Sequence, residues 1–198
     1  MQLACPFILA SQSPRRRKLL EQIGLSFEVR VSPVEETITP GLSPEGIVQQ
    51  LALEKAGSIA KRHPDALTLG ADTIVVLEHL VLGKPGNEAE AHTMLRSLSG
   101  RTHTVYTGIA LVHPNTDRSK TAFEATHVTF APLTDDEIAA YLATGSPLDK
   151  AGAYGIQDDL GALFISRIDG DYYNVVGLPL HRFYRLLSDQ FSDLLLSL

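Results

Sequence analysis

Apolar residues in this chain fall into short unbroken blocks, alternating runs and stretches of helical period. "PFILA", residues 6–10, is an apolar block of the kind a buried strand carries. Ser13 is a good helix N-cap and Pro14 suits the first helical position, so a helix is predicted from here to Gly24, a residue type that stops helices. "SFEVRV" alternates and predicts a strand over 26–31, and "SPVEETITPGLSP" predicts a loop. A second Ser-Pro start opens a helix in "SPEGIVQQLALEKAGSIAKRH", with a period running through Ile47, Leu51, Lys55 and Ile59. The β-branched run "ALTLGADTIVVLEH" predicts a central strand, and "LVLGKP" a short returning strand that ends in a turn.

"NEAEAHTMLRSLSG" is a helix with Asn87 as cap and Gly100 as stop. The alternating segments "RTHTVYTGIALVH" and "KTAFEATHVTFAPL" flank "PNTDRS", which is turn chemistry, so they predict an antiparallel hairpin. "TDDEIAAYLATG" is a compact helix with Gly145 as stop, and "GALFISRIDGDYYNVVGLPLHRFYRLL" reads as strand, turn and helix. Strands and helices alternate early and the hairpin comes late. The fold class is therefore α/β, a mixed twisted β-sheet flanked by helices. One domain over 1–198 is expected, and two lobes around a central cleft are one arrangement it allows.

The bulk numbers narrow the partners. A chain of 198 residues that is 44% hydrophobic can bury a real core. The net charge of −6 argues against a general nucleic-acid binder. The single cysteine, Cys5, cannot form an internal disulfide and fits a reducing compartment. No stretch approaches the ~20 apolar residues of a membrane span, and "MQLACPFILA" lacks the basic start of a signal peptide. A soluble cytoplasmic protein is expected.

Against that acidic background, "SPRRRK" is an anomaly. Arg15, Arg16, Arg17 and Lys18 crowd the positive end of a helix, where cations are disfavoured by roughly 0.3–1 kcal/mol each. An anion bound there would resolve the conflict. Free backbone N–H groups, helix dipole and guanidinium forks would then point the same way, and phosphate suits the fork best. The plainer alternative is a solvated basic turn paired with surface carboxylates.

Asp72 is the second anomaly, a carboxylate in a run that otherwise wants burial; it must be paired, hydrogen-bonded or metal-bound. If the strand pair 74–77 and 80–82 folds back, Lys84 comes near Asp72, as a functional pair or merely as a buried one. In "PLDKAGAYGIQ", Gly152 and Gly155 would let the backbone approach a flat ligand, and Gln157 offers the donor and acceptor that read a base edge; an ordinary Gly-rich turn is the alternative. Lesser candidates are Glu35, Glu36, Lys55, His103 and Asp171. Glu36 sits in a loop that could reach a metal, Lys55 lies on an apolar helix face and would snorkel, and His103 reads as structural.

Taken together and in order, "LASQSPRR", "LEKA", "LGADTIVV…GKP", "SGRTHTVYTG", "DKAGAYGIQ" and "GDYYNVVGLPL" resemble the Maf family of nucleoside triphosphate pyrophosphatases. The branch most similar hydrolyses dTTP and UTP; its Arg-Arg pair after the proline, its Asp-Thr pair and its Gly-Ile-Gln ending are all here. The resemblance implies a cytoplasmic enzyme, a homodimer, that cleaves between the α- and β-phosphates with Mg²⁺ or Mn²⁺. It implies Asp72 as proton acceptor, with Arg15, Thr73 and Gln157 setting base preference. Ser11, Arg16, Glu36, Lys55 and Lys84 match polar positions around the phosphates and metal. Glu36 and Asp72 are oxygen donors suited to such an ion.

"DDLGALF", with Asp158 and Asp159, departs from the family pattern by being a residue longer, which bears on the base pocket. The expected partner is thus a nucleoside triphosphate, with no nucleic acid and no membrane. The alternatives within reach are hydrolysis of 7-methyl-GTP or another modified nucleotide, and a nucleotide-binding regulator of septum formation.

Overall fold

Both Ser-Pro signals open helices. The computed structural model describes residues 1–157 and 159–197. In it, Ser13 caps α1 (Pro14–Gln22) and Ser43 caps α2 (Pro44–Ala60). Ser13 Oγ accepts from Arg16 N–H at 3.4 Å and Ser43 Oγ from Gly46 N–H at 3.3 Å. Gly24, past the end of α1, has φ +67°, the left-handed conformation glycine supplies without strain. Asn87 caps α3 (Glu88–Leu98), and Thr134 caps α4 (Asp135–Leu142) in a reciprocal capping box with Glu137. Two further helices, α5 (Tyr172–Val176) and α6 (Leu180–Gln190), follow.

The strands are β1 (Gln2–Leu3), β2 (Phe7–Leu9), β3 (Glu28–Val29), β4 (Leu67–Leu77), β5 (Leu80–Leu82), β6 (Thr102–His113), β7 (Arg118–Phe130), β8 (Ile165–Asp169) and β9 (Leu195–Ser197). Seven of them make one mixed sheet in the order β3-β2-β4-β6-β7-β8, with β5 paired to β4. β2 runs parallel to β3 and β4; β5 and β8 are antiparallel to their partners, with Val75 opposite Leu82 and Leu77 opposite Leu80. The mixed α/β class is therefore as the pattern predicts. Three details differ. "SFEVRV" yields only the exposed pair Glu28–Val29, because this strand is the sheet's edge and has one neighbour. β1 and β9 form a separate antiparallel pair that no periodicity announced. The turn before α6 contains α5. No helix among the described residues is long and apolar enough to cross a membrane.

The chain divides into two compact units. The first comprises Met1–Asp72, Thr107–Glu124 and Gly177–Leu198. Its heart is the contact of α2 with β4 and β6. Ala52, Ala56 and Ala110 pack together there, fully buried. A Cβ on Gly70 of β4 would stand 2.2 Å from Ala52 O and 2.7 Å from Ala56 N; one on Gly108 of β6 would stand 2.3 Å from the Val48 carbonyl. Backbone touches backbone at both glycines. Side chains on a strand alternate faces, so Asp72, two residues beyond Gly70, looks toward the same helix.

The second unit comprises Thr73–Tyr106 and Ala125–Val176. Leu77, Leu95, Val128 and Ile138 lie in its core beside edge-on aromatic rings, with Phe130 and Tyr154 centroids 4.8 Å apart and Tyr141 and Phe164 5.2 Å apart. His103 is buried against Phe130 and Tyr154, its Nε2 2.7 Å from the Tyr154 hydroxyl. Burial drives its pKa down to about 4. This is a core histidine, as its lone place on a strand suggests.

Two outcomes follow for stability. Gly70→Ala forces α2 away from β4 and should destabilise by about 1–3 kcal/mol in urea unfolding, the range of an overpacked core. His103 takes a proton more readily in the unfolded chain than in the native one. Its contribution is therefore full above pH 6.5 and is lost as the pH falls from 6.5 to about 4. Wild type should lose about 3 kcal/mol across that window through this residue, and His103→Phe should flatten that part of the pH profile of unfolding midpoints.

Candidate active site

Four segments of the first unit converge on one cluster: the strand-to-helix turn 11–16, the loop that carries Glu36, α2 and the last residues of β4 before the unit ends. The period of α2 places Lys55 with Ile47, Leu51 and Ile59 on the buried face, and all four side chains are buried. Because the backbones of α2 and β4 meet at Gly70, the Lys55 ammonium reaches the strand. Its Nζ donates to Asp72 Oδ1 at 2.5 Å and to Glu36 Oε1 at 2.7 Å. Asp72 is 5% exposed and Lys55 7%, whereas the Glu36 side chain is 41% exposed. The loop thus covers a buried ion pair with a carboxylate that still faces solvent.

Burial pushes the Asp72 carboxyl above its usual 3.8, against the pull of Lys55 and Arg16, and the neighbouring Glu36 charge adds to the rise. Arg16 feels the same group of charges: burial lowers its pKa, Arg15 adds to the drop, and Asp72 and Glu36 oppose it. The guanidinium remains cationic at any ordinary pH. It is fixed in place, with Nε donating to the Gly177 carbonyl at 2.8 Å and Nη1 to Ser11 Oγ at 3.3 Å. Ser11 is buried, and its Oγ also accepts from Ser13 N–H at 3.1 Å. Arg15 is half-buried beside it. Arg17 turns outward to Glu21 at 2.7 Å, and Lys18 is exposed. Of the four cations, then, Arg15 and Arg16 are the two that the first turn of α1 keeps partly enclosed.

Apart from Glu35, the remaining sequence candidates lie in the second unit. Thr73, half-buried, follows Asp72 directly on β4; Lys84 is exposed just after β5; Gln157 is exposed at the end of the Gly-rich segment. The expected hairpin of β4 and β5 forms. Asp72 is bonded by Lys55, a pairing that the sequence pattern does not name; the buried helical face on which Lys55 lies was the available signal. Lys55 accordingly does not snorkel to water. Gly152 has a packing role of its own. It adopts φ +68° and packs against Val75, which a Cβ would meet at 3.0 Å. Lys150 is buried and donates to Asp149 at 2.7 Å and to Ser146 Oγ at 3.1 Å, tying its own turn. Asp171 accepts from Tyr173 N–H at 2.8 Å at the start of α5. Glu35 is exposed in the loop. Of the longer turn after Gln157, Asp158 lies outside the described residues, and Asp159 opens a 3-10 turn over Asp159–Phe164.

Glu36 and Asp72 converge on a single cationic nitrogen, and both are hard oxygen donors. Among the described residues no group of three or more His, Cys, Asp or Glu side chains is placed to hold a metal. Two carboxylates without a closed protein cage fit an ion such as Mg²⁺ or Mn²⁺, which keeps waters and shares the oxygens of a phosphate ligand.

The first unit thus brings together a cationic turn at a helix start, a buried carboxylate held by lysine and a second carboxylate on a loop. The chain belongs to the Maf-like protein family, whose sequence model matches residues 6–190. It is 54% identical over 195 residues to the dTTP/UTP pyrophosphatase of Salinibacter ruber, covering 98% of this chain and 96% of that protein. It is 56% identical over 180 residues to the dTTP/UTP pyrophosphatase of Bacillus cereus and 55% to that of Bacillus anthracis, covering 91% of this chain and 93% of each relative.

Removing the lysine strands a buried carboxylate. Lys55→Met should lower stability at pH 7 by about 3–5 kcal/mol in urea unfolding. Glu36→Gln, at the exposed end of the same network, should change it by less than about 1 kcal/mol.

Proposed function

We propose that this protein is a nucleoside triphosphate pyrophosphatase that hydrolyses dTTP and UTP to the nucleoside monophosphate and pyrophosphate. The observation that carries the proposal is the Asp72–Lys55–Glu36 network sharing one electrostatic neighbourhood with Arg15 and Arg16 at the start of α1. The names of relatives at 54–56% identity over nearly the whole chain support the substrate class.

Arg15 and Arg16 receive the polyphosphate, aided by the first-turn N–H groups and the helix dipole. Arg16 is already oriented by Ser11 and the Gly177 carbonyl, so little side-chain freedom is lost on binding. A water attacks the α-phosphorus, the bond to the bridging α–β oxygen breaks and pyrophosphate leaves. The water's proton passes to Asp72. The Lys55 bond to Oδ1 orients the carboxylate and leaves acceptor sites on it open. The raised pKa makes this carboxylate a stronger base than an exposed aspartate. When bound, Mg²⁺ or Mn²⁺ held by Glu36 and Asp72 would neutralise phosphate charge and acidify water. Lys55, Lys84 and the arginines stabilise the charge that gathers on the departing pyrophosphate.

Arg15, Thr73 and Gln157 are assigned to base selection. Thymine and uracil share O4, N3–H and O2, which one glutamine amide can read as acceptor and donor together. Cytosine exchanges two of these groups, leaving polar atoms mispaired, and this is the basis of discrimination. The reading extends to a homodimer working in the cytoplasm, on the strength of the family resemblance.

Initial rates of pyrophosphate release from UTP, dTTP, CTP, GTP and 7-methyl-GTP, with Mg²⁺ and with Mn²⁺, test the proposal. UTP and dTTP should lead, and faster turnover of a purine nucleotide would overturn the base assignment. Asp72→Asn should lower kcat by about 10²–10⁴-fold while binding of a nonhydrolysable UTP analogue stays within a few-fold. Near-normal turnover in that variant would exclude Asp72 as proton acceptor.

A further inference from the structure

The loop between β3 and α2 is fastened to the helix on both sides of Glu36. On one side, Val34 N–H donates to Ser32 Oγ at 3.3 Å, Ser32 Oγ lies 2.9 Å from Ser58 Oγ, and Ser58 Oγ donates to the Lys55 carbonyl at 2.8 Å. A serine hydroxyl has one proton. Ser58 gives its proton to Lys55 O, so Ser32 must be the donor to Ser58. The chain of bonds therefore runs one way, from the loop backbone through two hydroxyls to Lys55. On the other side, Gln50 Nε2 donates to Thr39 Oγ1 at 3.1 Å. Lys55 is consequently tied to the loop twice, by its carbonyl through Ser58 and Ser32 and by its ammonium through Glu36.

Glu36 needs such support. It is a long side chain on a solvent-facing loop, and holding it in one rotamer costs on the order of 1–2 kcal/mol of conformational entropy. The side chain is 41% exposed, while the Asp72 carboxylate that it must match is rigid and buried. We propose that Ser32 and Ser58 are positioning residues that hold Glu36 in register with Asp72 and so set the affinity for the divalent cation. This rests on the reading of Glu36 and Asp72 as the metal-holding carboxylates.

The test uses the full chain. Mn²⁺ is titrated by the loss of its free-ion EPR signal, with a nonhydrolysable UTP analogue present and the analogue's own Mn²⁺ binding subtracted from a protein-free control, in wild type, Ser32→Ala and Ser58→Ala. Alanine is the better helix former, so Ser58→Ala keeps α2 intact. Both variants should bind Mn²⁺ about tenfold more weakly, the usual effect of removing support behind a ligand. Backbone amides 34–39 should exchange hydrogen faster, and Ser58→Thr, which keeps the hydroxyl, should recover most of the affinity. In a Glu36→Gln background Ser58→Ala should have no further effect, because the residue it positions is gone. Unchanged Mn²⁺ affinity in the single variants, or the same weakening with and without Glu36, overturns the positioning role. Pyrophosphate release by the wild type, measured alongside, separates the two claims: its absence removes the functional reading, whereas normal release with unmoved Mn²⁺ affinity removes the positioning role alone. No saturable Mn²⁺ binding by wild type overturns the positioning role, whatever the release assay shows.

Discussion

The backbone of α2 lies directly on β4 and β6, and the site follows from that contact. Gly70 and Gly108 have no side chain to hold the helix off; Ala52 and Ala56 face Gly70, and the backbone of Val48 and Gln49 lies against Gly108. A helix that packed at ordinary distance, over leucines or valines, would carry Lys55 too far from the strand for its ammonium to reach Asp72. The two small-residue strips thus fix the position of a charge. The cost is a core with no tolerance for an added methyl group, since an interior packed to crystal density cannot absorb one.

The electrostatics follow from the same contact. A buried lysine and a buried aspartate are each expensive to remove from water, and a close pair roughly balances that penalty. The pair therefore does little for stability beyond what apolar residues of the same volume would do. It provides instead a carboxylate whose pKa is raised, flanked by a cation and facing the positive end of α1. The cluster of arginines that is unfavourable for the helix by itself is intelligible in the same terms: Arg16 is turned inward by Ser11 and the Gly177 carbonyl, into the field of Asp72 and Glu36. Charges that oppose the fold locally are matched by charges from distant parts of the chain.

Glu36 shows how an irregular segment is brought to a buried ion pair. The loop has no regular structure, yet serines and a threonine–glutamine pair bind it to α2 on either side of the carboxylate. The hydroxyl chain through Ser32 and Ser58 ends on the backbone of the residue whose side chain Glu36 contacts. Local hydrogen bonding and site geometry are therefore one network in the first unit.

Much of this was legible in the residues. The Ser-Pro starts, the helix stops at Gly24 and Gly145, the hairpin of β6 and β7 and the burial of one face of α2 are set by local dihedral preferences and by periodicity, which the sequence carries position by position. So are the two anomalies, arginines at a helix start and an aspartate in an apolar strand. That Lys55 is a partner of that aspartate was not legible. The backbone contact of α2 with β4 at Gly70, which periodicity does not announce, is what brings the Lys55 ammonium to it. The contact of Gly152 with Val75 was not legible either, nor was the pairing of β1 with β9, which have too few residues to show a period. Local chemistry chose the elements and marked the unusual charges; long-range packing alone decided which charges meet.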